Sequence, residues 1–421
     1  MSHLSADISI IGAGAAGLAT AIFAARAKPG GRILLLDGAR KPGAKILVSG
    51  GARCNVTNSV VTEADFNGGK RSVVRRILRA FPVVETVRFF REIGVPLHEE
   101  PGGKLFPDSN RARDVLNALL GAVSECGVAL LTEHRVLDIA RRDEGFALFT
   151  SRGEIRSRLV VLATGGLSLP KTGSDGAGYH FARAFAHTIV PTTPALVPLV
   201  LAGDGASGLH RDLSGVSHDA TLELWVNGSP DMAVTGSLLW THFGISGPVV
   251  LDASRHWLRA RLENQDARLV LRFSPGRSFA DLDRFWTAAA TARGRSSVQR
   301  TLASLVPAAV ATALLVNLDI DGTTALADLP RAVRRRLVHA LTAWSLPVTD
   351  SRGYNYAEVT AGGVTLAEID PGSMESRVCP GLFLVGEILD VDGRIGGFNF
   401  QWAWSSARVA ARALVRYDRQ G

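Results

Sequence analysis

Residues 7–37 read DISIIGAGAAGLATAIFAARAKPGGRILLLD. The apolar run Asp7-Ile8-Ser9-Ile10-Ile11 predicts a strand. Gly12-Ala13-Gly14-Ala15-Ala16-Gly17 predicts a tight turn, and the Ala-rich stretch to about Arg26 a helix. A second strand, Ile33-Leu34-Leu35-Leu36, ends at Asp37. This is a dinucleotide-binding βαβ unit. Gly12 permits the turn, Gly14 lets backbone approach a pyrophosphate, and Gly17 lets helix and strand pack closely. The helix N-terminus offers unpaired N–H groups and partial positive charge to phosphates. Asp37 accepts from a ribose diol and repels a 2′-phosphate, which favours FAD or NAD over NADP.

A chain of 421 residues, 46% hydrophobic and 20% charged, is long enough for two or three domains with a large core. Cys54, Cys126 and Cys379 form no CxxC pair, so neither a disulfide framework nor a zinc site is expected, and the cytoplasm is the expected location. The uncharged run Ile8–Ala25 lacks a basic cluster before it and carries glycines at phosphate-cradle spacing, so it is not read as a signal peptide or membrane span. Ser304–Leu318 is too short to cross a bilayer and reads as a buried helix. Net charge is +8, nearly all of it from Arg; Lys occurs only at Lys28, Lys41, Lys45, Lys70, Lys104 and Lys171. The clusters Arg71/Arg75/Arg76/Arg79 and Arg331/Arg334/Arg335/Arg336 have helical spacing and read as solvated helix faces. RNA binding is the rival reading, and nucleic acid is not the expected partner.

Beyond Asp37 a long polar loop is expected from Gly38 to about Asn58, then a helix over 72–92, a hairpin within 94–107 and a helix over 114–126. Strands follow over 128–131, 135–141 and 146–150, and Leu159–Ala163 reads as a buried parallel strand. From about Pro191 to Arg272 short strands dominate, and Phe279 to about Trp344 is helical. The opening style returns at Leu382–Val385 and in a helix over 402–417. The chain therefore reads as α/β, with a discontinuous Rossmann-type domain (1–190 and 351–421) interrupted by an inserted domain (191–350).

Three further segments carry chemistry. In KILVSGGARCNVTN (Lys45–Asn58), Gly50 and Gly51 admit backbone N–H groups to a flat cofactor. Lys45 and Arg53 offset pyrophosphate or flavin-edge charge, and Asn55 and Asn58 suit ring edges. Cys54, beside Arg53, reads mainly as a small packed side chain, with thiol chemistry as the rival. Ala163-Thr164-Gly165 ends a buried strand at the cofactor. In the Gly386–Gln401 segment, Glu387 and Asp390 suit ribityl hydroxyls, and Gly396-Gly397 open a helix toward the flavin O2 region. Calcium at Asp390 and Asp392 is disfavoured because the run lacks an EF-hand's alternating oxygens, and no metal site is expected. No second GxGxxG stands in a strand–helix frame; Gly205-Ala206-Ser207-Gly208 lacks one.

Together these segments resemble the BaiN-like, aminoacetone-oxidase-like flavoproteins, the NAD(P)/FAD-dependent oxidoreductases. The resemblance rests on Lys45–Asn58, THFGISGP (Thr241–Pro248), TAGGV (Thr360–Val364), SMES (Ser373–Ser376) and GEILDVDGRIGGFNFQWAWSS (Gly386–Ser406), and it spans nearly the whole chain. It implies non-covalent FAD and an insert of β-barrel and helical parts. It also implies FAD contacts from Gly12, Ala13, Gly14, Ala15, Ala16 and Gly17, from Asp37 and Gly38, and from Lys45, Ser49, Gly50, Gly51, Arg53, Cys54, Asn55 and Asn58. Further implied contacts are Ala163, Thr164 and Gly165, then Gly386, Glu387, Asp390, Gly396, Gly397, Asn399 and Gln401. Val136 meets the adenine through its backbone in this reading. The sequence departs from the family at Asp37, where Glu is usual, and at Ala52, which replaces a glycine and is strained if that position takes positive φ.

The expectation is an FAD-dependent oxidoreductase acting on a small organic substrate by hydride transfer, with NAD(P)H or oxygen as partner. The alternative is a flavoprotein whose basic surface binds RNA. No catalytic acid or base is assigned; His242, Tyr354 and Asn355 are candidates for the pocket wall.

Overall fold

The computed structural model describes residues 4–203 and 209–417. Gly205–Gly208 therefore lie outside the described residues. The chain divides into two compact units, Met1–Thr192 with Glu358–Gly421, and Thr193–Ala357.

The first unit is built on a parallel sheet. Strand Leu4–Ile11 lies between Ile33–Leu36 and Gly153–Leu162, and Ala129–Leu131 extends the sheet beyond Ile33–Leu36. Strand Gly153–Leu162 has two lives. Its first half pairs antiparallel with Gly145–Thr150, and its last residues pair parallel with Leu382–Leu384. The chain's late strand thus joins the sheet begun by its first. Residues 159–162 and 382–384 are fully buried, as strands covered on both faces should be. Helix Ala15–Ala27 packs along helix Phe398–Arg416. Small buried residues, including Ala19, Ala403, Ala407 and Ala411, let the two come close.

Several local expectations need correction. The stretch after Asp37 is not all loop: Ala44–Ala52 is helical at first, then breaks at Ser49 (ψ 147°) into Gly50 and Gly51 with φ 55° and 67°. The expected helix over 72–92 is two helices, Arg71–Ala80 and Val83–Glu92, parted at Phe81-Pro82.

The second unit carries a seven-stranded antiparallel sheet in the order 344–346, 267–272, 217–226, 229–241, 244–246, 199–201, 348–351. Its two end strands are joined by Pro347 alone. Laid flat, seven strands would put those edges about 29 Å apart. One residue cannot span that, so the sheet curls into a barrel. The reading of short strands through Arg272 missed two features. Ser217–Val226 and Ser229–Thr241 form a long hairpin, and Pro248–Leu262 is a helix lying on it. Helices Phe279–Ala292, Ala308–Asn317 and Arg331–Thr342 form the helical part. Among the described residues no helix is long and apolar enough to cross a membrane, and no group of three His, Cys, Asp or Glu could hold a metal.

Candidate functional site: a dinucleotide cradle at the strand ends

The three glycines of the opening turn differ in what surrounds them. A Cβ on Gly12 would lie 2.5 Å from the Ala163 carbonyl oxygen, and φ there is +102°. A Cβ on Gly17 would lie 1.8 Å from the Gly12 carbonyl oxygen. Both positions are closed to any side chain. A Cβ on Gly14 meets nothing within 4 Å. Gly14 is also the N-cap of helix Ala15–Ala27, and no side chain caps it. Open space in front of uncapped N–H groups is the cradle a pyrophosphate requires.

Asp37 stands beside the turn, where its carboxylate accepts from the N–H groups of Ala13 and Ala39, each at 2.8 Å. Two acceptor sites on each oxygen leave capacity for a ribose diol. Gly38 packs on Arg135, one residue before buried Val136, so these two cofactor-contact candidates share this corner.

The carboxy-terminal segment closes on the same turn. A Cβ on Gly386 would come 2.8 Å from the Ala16 Cβ. The Gly386 N–H donates to Ser406 Oγ, and its carbonyl accepts from Trp402 Nε1. Just beyond it, Glu387 Oε2 lies 2.5 Å from Lys45 Nζ. Ser168 Oγ joins both, accepting from Lys45 at 2.5 Å and donating to Glu387 Oε1 at 2.8 Å. The Thr360 N–H also donates to Glu387 Oε1. Sequence reasoning missed Ser168 and Thr360, although Thr360 opens the TAGGV motif.

A second cluster knits Arg53–Asn58 to Gly396–Trp404. A Cβ on Gly397 would sit 2.5 Å from the Thr57 carbonyl, Trp404 Nε1 donates to the Val56 carbonyl, and Asn58 Nδ2 donates to that of Gly396. Gly397 opens helix Phe398–Arg416 with no side-chain cap, leaving its first N–H groups available.

Some expected cofactor contacts are otherwise engaged. Gln401 is fully buried, and Thr57, Thr86, Ser405 and the Phe81 carbonyl take up its amide, which makes it a structural tie. Asn399 clamps the backbone of Gly393. Arg53 forms a forked pair with Glu100 and stacks on Phe106 at 4.1 Å instead of standing free for phosphate. Cys54 is fully buried, and burial, only partly offset by the Ser49 hydroxyl, pushes its thiol up to about 12. That removes the activated-thiol reading, since the thiolate is the reactive form. Ala52 does take positive φ, 66°, as the missing family glycine implied. His242, Tyr354 and Asn355 belong to the second unit, where exposed His242 lies edge-on to Phe243.

Two buried polar atoms among the candidate residues, Asn55 Oδ1 and Thr164 Oγ1, have no hydrogen-bond partner. A buried acceptor or hydroxyl without a partner costs about 1–3 kcal/mol, so each calls for a ligand group or water. With the open cradle at Gly14, these residues fit a bound dinucleotide.

The family model described as HI0933-like protein Rossmann domain matches residues 6–413. The chain belongs to this family. It is similar to a protein of Clostridium scindens named 3-dehydro-bile acid delta(4,6)-reductase, 32% identical over 408 residues, covering 97% of this chain and 98% of that one. It is equally similar to an Escherichia coli protein named ribosomal RNA dihydrouridine synthase, 34% identical over 410 residues, covering 97% and 98%. Among solved structures, the E. coli quinol fumarate reductase subunit FrdA shares the fold (TM-score 0.51, 19% identity, covering 100% of this chain and 72% of that one). This HI0933-like chain is an FAD-dependent oxidoreductase.

Proposed function

We propose that the protein reduces a carbon–carbon double bond conjugated with a carbonyl in a small organic substrate, with NAD(P)H as the reductant. One observation carries this reading: two relatives matched over nearly their full lengths have names that describe one chemistry. The Δ4,6-diene of a 3-oxo steroid and the C5=C6 bond of uracil are both conjugated with a carbonyl, and a C=C bond in each gains a hydride and a proton on reduction. Bound FAD supplies hydride transfer at N5. The chain's residues bind and orient: the Gly12–Gly17 turn takes the pyrophosphate, Asp37 the ribose, and the Asn55 amide and Thr164 hydroxyl supply polar contacts. No second strand–GxGxxG–helix unit is evident in the sequence, so the nicotinamide docks directly at the flavin. Three free cysteines suit a reducing cytoplasm.

RNA is a second reading of the same chemistry, favoured by the name of the E. coli relative. The Arg clusters add little to it, since several members have partners within the fold. Arg75 pairs with Glu63, Arg334 with Asp283, and Arg336 with the Leu318 carbonyl.

The test is anaerobic reduction of the holoenzyme with NADH and with NADPH, followed by mixing with a 3-oxo-Δ4,6 steroid, with uridine-containing ribosomal RNA, or with oxygen. Fast reoxidation by the steroid supports the proposal. Reoxidation by RNA alone supports the second reading. Reoxidation by oxygen alone, with rapid reduction by a small amine, overturns both in favour of an oxidase.

A further inference from the structure

We infer that Lys45 and Glu387 face the flavin ring as a balanced pair of charges whose opposite effects on its reduction potential cancel. The inference rests on FAD binding in the first unit and not on the identity of the substrate.

The placement comes from topology. In open α/β sheets ligands bind outside the carboxyl ends of the parallel strands. Ile11, Leu162 and Leu384 end three such neighbouring strands. Gly12 follows the first, Ser168 stands beyond the second, and Glu387 stands beyond the third. Lys45 reaches this edge from the glycine-rich segment and binds both Ser168 and Glu387. The pair therefore lies where the cradle, the Ala163–Gly165 bend and the late segment converge.

The chemistry comes from its partners. Glu387 accepts from Lys45, Ser168 and the Thr360 N–H, which fixes the carboxyl group in place. Lys45 uses two of its three N–H donors on Ser168 and Glu387, which leaves one for a ligand atom. Both side chains are mostly shielded, at 26% and 17% exposure. A charge in such a setting acts far more strongly on a neighbour than one in water. Reduction adds negative charge to the flavin. An unbalanced cation nearby favours the reduced form and raises the potential, whereas an unbalanced carboxylate lowers it. Intact, the pair does neither; with one member removed, the survivor acts alone.

The experiment is a dye-coupled reductive titration of FAD-loaded wild type, K45M, E387Q, K45R and the K45M/E387Q double variant, without substrate. E387Q is expected to raise the midpoint and K45M to lower it. Each shift should reach at least a tenfold change in the ratio of reduced to oxidised affinity, about 30 mV for a two-electron couple. K45R and the double variant should return close to wild type. If K45M fails to retain FAD, E387Q decides alone: an upward shift supports the inference, and an unchanged or lower midpoint overturns it. Shifts of the same sign, or none, would mean that the pair merely ties two segments together. Opposite shifts in a protein that reduces no conjugated ketone would sink the proposed function and leave this inference standing.

Discussion

Gly386 rests against Ala16, so close that a Cβ at 386 would stand 2.8 Å from the alanine methyl. The first helix of the chain and the loop leading to its last helix thus form one wall. A ligand held by the Gly12–Gly17 turn is bound to meet the late segment as well. Crowding fixes glycine at 12 and 17 but not at 14, so substitutions at 14 and 17 separate cofactor binding from folding.

Gly14→Ala should leave the fold intact, because its Cβ enters open space and φ is −83°. The methyl would occupy the cradle, so FAD affinity should fall at least tenfold, about 1.4 kcal/mol. Gly17→Ala forces a Cβ onto the Gly12 carbonyl and should destabilise by about 3 kcal/mol. Thermal melts of the apoproteins and fluorescence titration with FAD check both. Equal loss of stability in the two variants would contradict the assignment.

Ala52→Gly should stabilise the protein. A non-glycine residue at φ 66° carries about 1–2 kcal/mol of strain. Glycine adds about 0.5–1 kcal/mol of unfolded-chain entropy. The net expected gain is about 0.5 kcal/mol, read by urea unfolding; a loss would show that the site tolerates alanine without strain.

Cys54 should resist alkylation in the native protein. With the thiol near 12, only about one molecule in ten thousand is ionised at pH 8. Iodoacetamide followed by peptide mass spectrometry should find Cys54 unmodified until urea unfolds the chain. Native labelling at Cys54 would reverse the reading of a buried, packed thiol.

His256, on the helix Pro248–Leu262, links stability to pH. Burial first, and the neighbouring Arg255 second, push it down to about 4, against a weaker pull from Asp231. The unfolded chain binds the proton more readily, so stability is full above about 6.5 and falls as pH drops toward about 4. The loss attributable to this group is of order 3 kcal/mol at most. His256→Phe should show a shallower decline than wild type in urea unfolding between pH 7 and pH 4; parallel curves would contradict it.

The nucleotide unit was legible because its glycines, strands and acid lie within one stretch of about thirty residues. Local crowding demands glycine at 12 and 17, so pattern and cause coincide there. The internal ties of Arg53 and Gln401 were not legible, for the opposite reason. Their partners, Glu100 and Thr57, lie 47 and 344 residues away, and no spacing rule announces them. The Gly50-Gly51 pair hid a helix, since two glycines read as loop although Ala44–Val48 is helical. Pro248 after Gly247 did mark the start of a helix, in keeping with the preference for proline at the first helical position. The strand-rich surroundings masked it. Barrel closure depends on Pro347 joining two edge strands, which only the pairing pattern reveals.

The central claim is that the first unit holds FAD at the Gly12–Gly17 turn. The measurement that tests it most directly is titration of the apoprotein with FAD, read by flavin absorbance and fluorescence. Wild type should saturate at one FAD per chain, and folded Gly14→Ala should bind FAD clearly more weakly. A wild-type protein that takes up no FAD, or a Gly14→Ala variant that binds it as tightly, would contradict it.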